Sequence, residues 1–169
     1  MHTEYSQVIL LGMRAIRSEP IRANLDDIDK AVIRRLQEDG RMSYAELGPL
    51  VGLSPAAARQ RVIHLIDSGV MQVVAVTDPT RLGFDIQAMV GFQVTGDLEE
   101  IAGRLAHIPE VEYLVITTGR FDFLAEILAT TTDHFLSVLN SIRSMPGVAS
   151  SEVFTYLRLE KQSYDWGVR

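Results

Sequence analysis

Apolar positions along this chain recur with two periods, and the change from one to the other divides it. From Leu25 to about residue 69 the spacing is helical. Ile28, Val32 and Leu36 return every four residues with Ala31 beside them, which makes one apolar helix face. Asp26 stands where an N-cap belongs, and Asp27 and Asp29 bring negative charge to the first turn, where the helix dipole favours it. Gly40 ends this element. Ser43-Tyr44-Ala45-Glu46 then has capping-box spacing: the serine oxygen accepts one free N–H and the glutamate returns to another. Leu47, Leu50 and Val51 are expected as the buried stripe of this second helix, and Gly52 as its stop. Ser54 caps a third helix with Pro55 at its first position, and Ala58, Val62 and Leu65 face inward until Gly69. The β-branched run Val70–Val76, closed by Asp78-Pro79, is expected to be a strand of a wing.

Beyond residue 80 the period falls to two. Ile86, Ala88, Val90, Phe92 and Val94 alternate with Gln87, Met89, Gly91, Gln93 and Thr95. Asp97 caps a helix whose face is Leu98, Ile101, Ala102, Leu105 and Ile108, ended by Pro109. The strand Val111–Thr118 follows, and Gly119-Arg120 is expected as a type II′ turn into the strand Phe121–Ala129. A helix with Phe135, Val138, Leu139 and Ile142 runs to Met145-Pro146-Gly147, and a last strand is expected through Val153–Leu159. The order β-α-β-β-α-β, with Ile108-Pro109-Glu110-Val111 echoed by Met145-Pro146-Gly147-Val148, predicts a ferredoxin-like sandwich. Two helices cover only one face of its four-stranded sheet. The second strand is apolar on both sides, Tyr113 and Val115 against Leu114 and Ile116, so the open face is expected to be buried by another copy.

The fold class is therefore α+β, an N-terminal winged helix-turn-helix followed by a ferredoxin-like βαββαβ domain. Its expected divisions are an extension over 1–24, a helix-turn-helix DNA-binding domain over 25–79 and an oligomerisation domain over 80–169, to which the resemblance given below adds effector binding. Two short helices joined by a three-residue turn containing Gly52 make a helix-turn-helix, whose second member enters the major groove. The candidate DNA contacts are Ser43, Tyr44, Ser54, Ala56, Ala57, Arg59, Gln60 and Arg61. Arginine can pair with guanine and glutamine with adenine, while alanines allow close approach. Arg61 has two roles open to it: binding a phosphate, or packing against the first helix with its head on an acid. The alternative function for the whole chain is an oligomeric small-molecule-binding adaptor that does not read DNA.

The net charge of −6 speaks against nucleic acid only until it is divided. Residues 1–79 hold nine basic against ten acidic residues, while 80–169 hold seven against twelve. Between Arg34 and Arg61 five arginines face three acids, a locally basic reader on an acidic chain. The absence of cysteine excludes disulfides, thiolate metal sites and cysteine nucleophiles, and fits the cytoplasm. The apolar run Val8–Met13 is far shorter than a membrane span and is not flanked as a secretory signal is. His2, His64, His107 and His134 lack metal-ligand spacing, and no nucleophile elbow, phosphate loop or dinucleotide fingerprint is present. Asp122 and Glu126 share a strand face, which is more simply a solvated or interfacial edge than an acid pair. No enzyme, cofactor, metal or membrane partner is expected.

Taken in order, these stretches resemble the leucine-responsive/asparagine-regulator (Lrp/AsnC, or feast/famine) family of transcription factors. The resemblance runs from about Leu25 to Lys161. It rests on Leu25-Asp26-Asp27-Ile28-Asp29, the stretch Asp39–Leu47, Gly52-Leu53-Ser54, Arg61-Val62, Gly69-Val70, Thr118-Gly119-Arg120-Phe121-Asp122 and Pro146-Gly147-Val148. It implies homodimers through the sheet domain, often assembled into octamers, and an amino acid or related metabolite bound between subunits near the hairpin. The effector candidates are Thr118, Gly119, Arg120 and Asp122, with Thr131 and Thr132 either donated by a partner subunit or capping their own helix. Arg120 would clamp a carboxylate and Asp122 accept from an ammonium. Two positions depart from the family pattern: Ile66 where an acid is common, and Ala58 where a larger aliphatic is usual. Residues 1–24 lie outside it, as a helical dimerisation arm or a loose basic arm with Arg14, Arg17 and Arg22.

Overall fold

The computed structural model describes residues 23–163 and Gly167. The expected N-terminal arm lies almost wholly outside them. The chain forms two compact units, which divide between Val74 and Ala75.

In the first unit, α1 spans Asp27–Glu38, α2 Tyr44–Leu50 and α3 Pro55–Asp67. Each start is the cap expected from sequence. Asp26 accepts from the Asp29 amide, Ser43 from the Glu46 amide and Ser54 from the Ala57 amide. The first two are reciprocal capping boxes, with Asp29 and Glu46 returning to the cap backbone. Val32, Ile33, Leu47, Ala58, Val62 and Leu65 form the core. Leu50 departs from expectation and is exposed, lining a shallow groove with Met42, Ala45 and Pro49. Helix α2 has only seven residues, and what α3 covers is Leu47 and Gly48. The strand expected over Val70–Val76 does not form: the segment has no ladder partner among the described residues, and Val73, Val74 and Val76 are exposed. β-Branched residues fit a pleated surface but cannot supply the neighbouring strand.

The second unit is a βαββαβ sandwich. Its strands are β1 (Ile86–Val94), β2 (Val111–Ile116), β3 (Phe123–Ala129) and β4 (Val148–Thr155). Its helices are α4 (Leu98–Leu105) and α5 (Thr132–Arg143). The sheet is antiparallel in the order β2-β3-β1-β4, with Val90 opposite both Ala125 and Val153. On one face Ala88, Val90, Phe92, Phe123, Ala125 and Ile127 meet Ile101, Leu105, Val138, Leu139 and Ile142 of the helices. β4 begins at Val148 and not near Val153. Its small residues Ala149, Ser150 and Ser151, two of them polar, hide an edge strand whose outer side needs no apolar cover. β2 and β3 stop short of the expected hairpin, leaving a loop over 117–122.

Candidate functional site

In the first unit the geometry converges on the start of α3. Burial of Ala58, Val62 and Leu65 turns Ser54, Ala56, Ala57, Arg59 and Gln60 outward, all of them exposed. Tyr44 and Ser43 open the preceding helix and are exposed as well. Gly52 holds a φ of +73°, which a side chain would strain, and this reverses the chain between the helices. Gly48, passed over in the sequence, fixes how closely the two approach. A Cβ there would stand 2.7 Å from the Leu53 carbonyl oxygen and 3.1 Å from the Pro55 nitrogen. Any larger residue at 48 forces the helices apart.

Arg61 takes the second of its two roles. Its guanidinium donates to Asp26 at 2.8 Å and to Asp29 at 3.1 Å, tying α3 to the capped start of α1. The Asp29 amide, and then Arg61, hold the Asp26 carboxyl below its ordinary value. Arg59, in contrast, has no ion pair among the described residues. Of the two family departures, Ala58 is fully buried and Ile66 is exposed.

In the second unit the predicted effector residues gather at the loop between β2 and β3, though not as a type II′ turn. Such a turn needs a positive φ at its first central residue, and Gly119 does not have one. The loop is wider. The Thr117 amide donates to the Asp122 carbonyl at 2.9 Å, and the Thr117 hydroxyl to the Phe121 carbonyl. Asp122 is bound to the sheet: its amide donates to the Phe92 carbonyl at 2.9 Å, and its carboxylate accepts from the Val94 amide at 2.8 Å. The Gln93 side chain donates to the Arg120 carbonyl at 3.1 Å.

The loop folds onto the open face of the sheet. Gly91 allows this, since a Cβ there would lie 2.5 Å from the Phe121 ring. From that position Phe121 meets Phe154 of β4 edge to face, with centroids 6.1 Å apart. Arg120 stacks over Phe121, 5.2 Å from its centroid, and pairs with Glu152 of β4 at 2.9 Å. Thr118 and Gly119 are exposed at the tip. Thr131 accepts from the His134 amide and so caps α5. Thr131 and Thr132 lie past the far end of β3, whose seven residues span about 20 Å, so they cannot join the loop within one chain. Gly91, Glu152 and Phe154 were not singled out from sequence as site residues. A glycine inside an alternating strand was the one available signal.

On the same open face Glu126 accepts from the Gln87 side chain at 2.9 Å. Burial, reinforced by a hydrogen bond to Glu126, pushes the Tyr156 hydroxyl up to about 12. This explains Glu126 as part of a hydrogen-bonded patch and separates it from Asp122. Among the described residues, no helix is long and apolar enough to cross a membrane.

Comparison with known proteins agrees with both units. Residues 25–66 match the AsnC-type helix-turn-helix domain, and 87–166 the Lrp/AsnC ligand binding domain. The chain is 30% identical over 151 residues to the HTH-type transcriptional regulator FL11 of Pyrococcus horikoshii, covering 88% of this chain and 100% of that one. It is 31% identical to the proline dehydrogenase transcriptional activator of Rhizobium radiobacter, covering 83% and 94%. Among solved structures it resembles a transcriptional regulator from Neisseria meningitidis in complex with L-Met, with TM-score 0.74, 28% identity and coverage of 83% and 94%. The leucine response regulatory protein LrpA of Mycobacterium tuberculosis gives TM-score 0.75 and 28% identity, covering 82% and 96%. A helix-turn-helix with an outward-facing second helix, joined to a βαββαβ ligand-binding domain, makes this chain a member of the Lrp/AsnC family of DNA-binding transcriptional regulators.

Proposed function

We propose that this regulator reads duplex DNA with the first turns of α3 and answers to an amino acid bound at the 117–122 loop. The observation that carries the reading is the exposed face Ser54, Ala56, Ala57, Arg59 and Gln60 on a helix whose opposite side is buried. Arg59 and Gln60 contact base edges, Ala56 and Ala57 let the helix sit deep, and Ser43, Tyr44 and Ser54 meet phosphates. Arg61 positions α3 through Asp26 and Asp29.

The effector reading is supported by the ligand-binding domain match and by the L-Met complex of the Neisseria meningitidis relative. Thr118, Gly119 and Arg120 present the loop, Asp122 braces it, and Thr131 and Thr132 approach it from another subunit. Self-association through the open sheet face makes the protein a homodimer, with octamers as its higher assembly, acting on chromosomal DNA in the cytoplasm. Tyr113 and Phe154 are exposed apolar residues of the open face, in keeping with such burial. The test is retrieval of genomic fragments by the purified protein, followed by competition against random DNA with and without each of the twenty amino acids. A protein that retrieves no sequence above background does not have this function.

A further inference from the structure

The proposed effector loop carries one strong cation, and it is already occupied. Arg120 pairs with Glu152 at 2.9 Å, and Glu152 lies on β4, at the opposite edge of the sheet from β2, where the loop begins. Gly91 makes the reach possible, because Phe121 lies flat where a side chain would stand. Asp122, the expected acceptor for an effector's ammonium, is committed to the Val94 amide at 2.8 Å. The carboxylate that faces Arg120 is that of Glu152. Both members of the pair are substantially exposed, at 74% and 40% of their side-chain surface. An exposed pair of this kind costs little to open.

We propose that Arg120 and Glu152 together form the clamp for a zwitterion, with Glu152 as the residue that selects for an α-amino group. This rests on the effector reading above and deepens it. An α-amino acid entering between the two places its carboxylate on the guanidinium fork and its ammonium on Glu152. One ion pair is exchanged for two charge-assisted ones, so neither charge is left without a partner. A simple carboxylic acid takes Arg120 but strands Glu152, and an amine does the reverse. A wrong ligand leaves one of the two charges without its charge-assisted partner, and this difference is the basis of the discrimination. The Phe121 and Phe154 rings beside the pair offer an apolar surface to the ligand's side chain.

Calorimetry on the full chain tests this, with the twenty L-amino acids as probes. The tightest binder is then compared with its α-keto acid, which lacks the ammonium, and its α-amide, which lacks the carboxylate. Wild type is expected to prefer the amino acid over the keto acid by tenfold or more. Glu152→Gln, nearly isosteric, is expected to erase that preference while still binding the keto acid. Arg120→Gln is expected to lose both carboxylates. Light scattering and thermal melts of each variant establish that assembly and folding match wild type, and Glu152→Asp, which keeps the charge, is expected to restore part of the preference. If Glu152→Gln retains the wild-type preference for the amino acid, the clamp assignment is wrong although the effector reading stands. If no amino acid binds wild type, the effector reading falls, and the clamp with it.

Discussion

Arg61 holds Asp29 at 3.1 Å across the junction of α3 and α1, and Asp29 is the one charged residue buried among those described. The pair sets how the reading helix sits on its support. Arg61→Ala leaves a buried carboxylate short of a donor, and it is expected to destabilise the first unit by about 1–3 kcal/mol. Urea titration measures this. DNA binding is expected to weaken at all sequences, with an unchanged slope of log affinity against log salt. A phosphate contact would behave differently: its loss lowers that slope by about 0.9 and leaves stability alone.

Arg59→Ala and Gln60→Ala are each expected to cost about 1–3 kcal/mol at the best site and to relax specificity at one position. Neither side chain is buried, so folding should be unaffected. Competition between the best site and random duplex reads the specificity ratio. Equal ratios for mutants and wild type would remove α3 as the reader.

The parts of this architecture that were legible in sequence are those encoded over short distances. The caps at Asp26, Ser43, Ser54 and Asp97 each join residues two or three apart. The inward positions Ala58, Val62 and Leu65 follow from one helical period. What was not legible depends on which segments meet. Gly91, Phe121 and Phe154 lie up to 63 positions apart and become neighbours only when β4 pairs with β1. Leu50 fits a helical stripe, but α3 does not reach it. Val70–Val76 has strand composition without a partner strand among the described residues.

Acid should weaken the N-terminal unit by a calculable route. The Ser43 hydroxyl, followed by its amide, holds the Glu46 carboxyl below its ordinary value of 4.5. The native state therefore binds fewer protons than the unfolded chain in that range. The resulting stability is fully present above 4.5 and is lost as pH falls through the lower folded value. Asp26 behaves alike from 3.8 downward. Thermal melts from pH 6 to pH 3 are expected to show Ser43→Ala losing stability less steeply than wild type, because its Glu46 no longer has the depressed value to lose.

Gly91→Ala adds a single methyl, yet that methyl would lie 2.5 Å from the Phe121 ring. The ring must leave the sheet, taking Arg120 away from Glu152. Overpacking of this size costs about 1–3 kcal/mol. The expected phenotype combines a modest loss of stability with loss of the amino acid over keto acid preference. Phe121→Ala removes the ring from the sheet and is expected to reproduce the second effect, while adding it to Gly91→Ala is expected to relieve the crowding. Differential melting and calorimetry on both variants separate the two contributions.

The open sheet face carries apolar residues from all four strands. Tyr113, Val115, Leu124, Met89 and Phe154 share the side of the sheet that α4 and α5 do not cover, as the register of β1, β3 and β4 dictates. Phe154 is 45% exposed in the single chain and makes no part of the helix-covered core. Phe154→Asp should therefore leave the fold intact and act on association, since an unpaired carboxylate cannot enter an apolar interface without losing its hydration. At low micromolar concentration, light scattering is expected to find wild type as a dimer or larger and the variant shifted toward the monomer, with unchanged circular dichroism. DNA binding should fall with it, because two half-sites related by two-fold symmetry need two linked reading helices. A variant that keeps its wild-type mass would show that the subunits meet elsewhere. A folded wild-type monomer at that concentration would show that the open face stays in water.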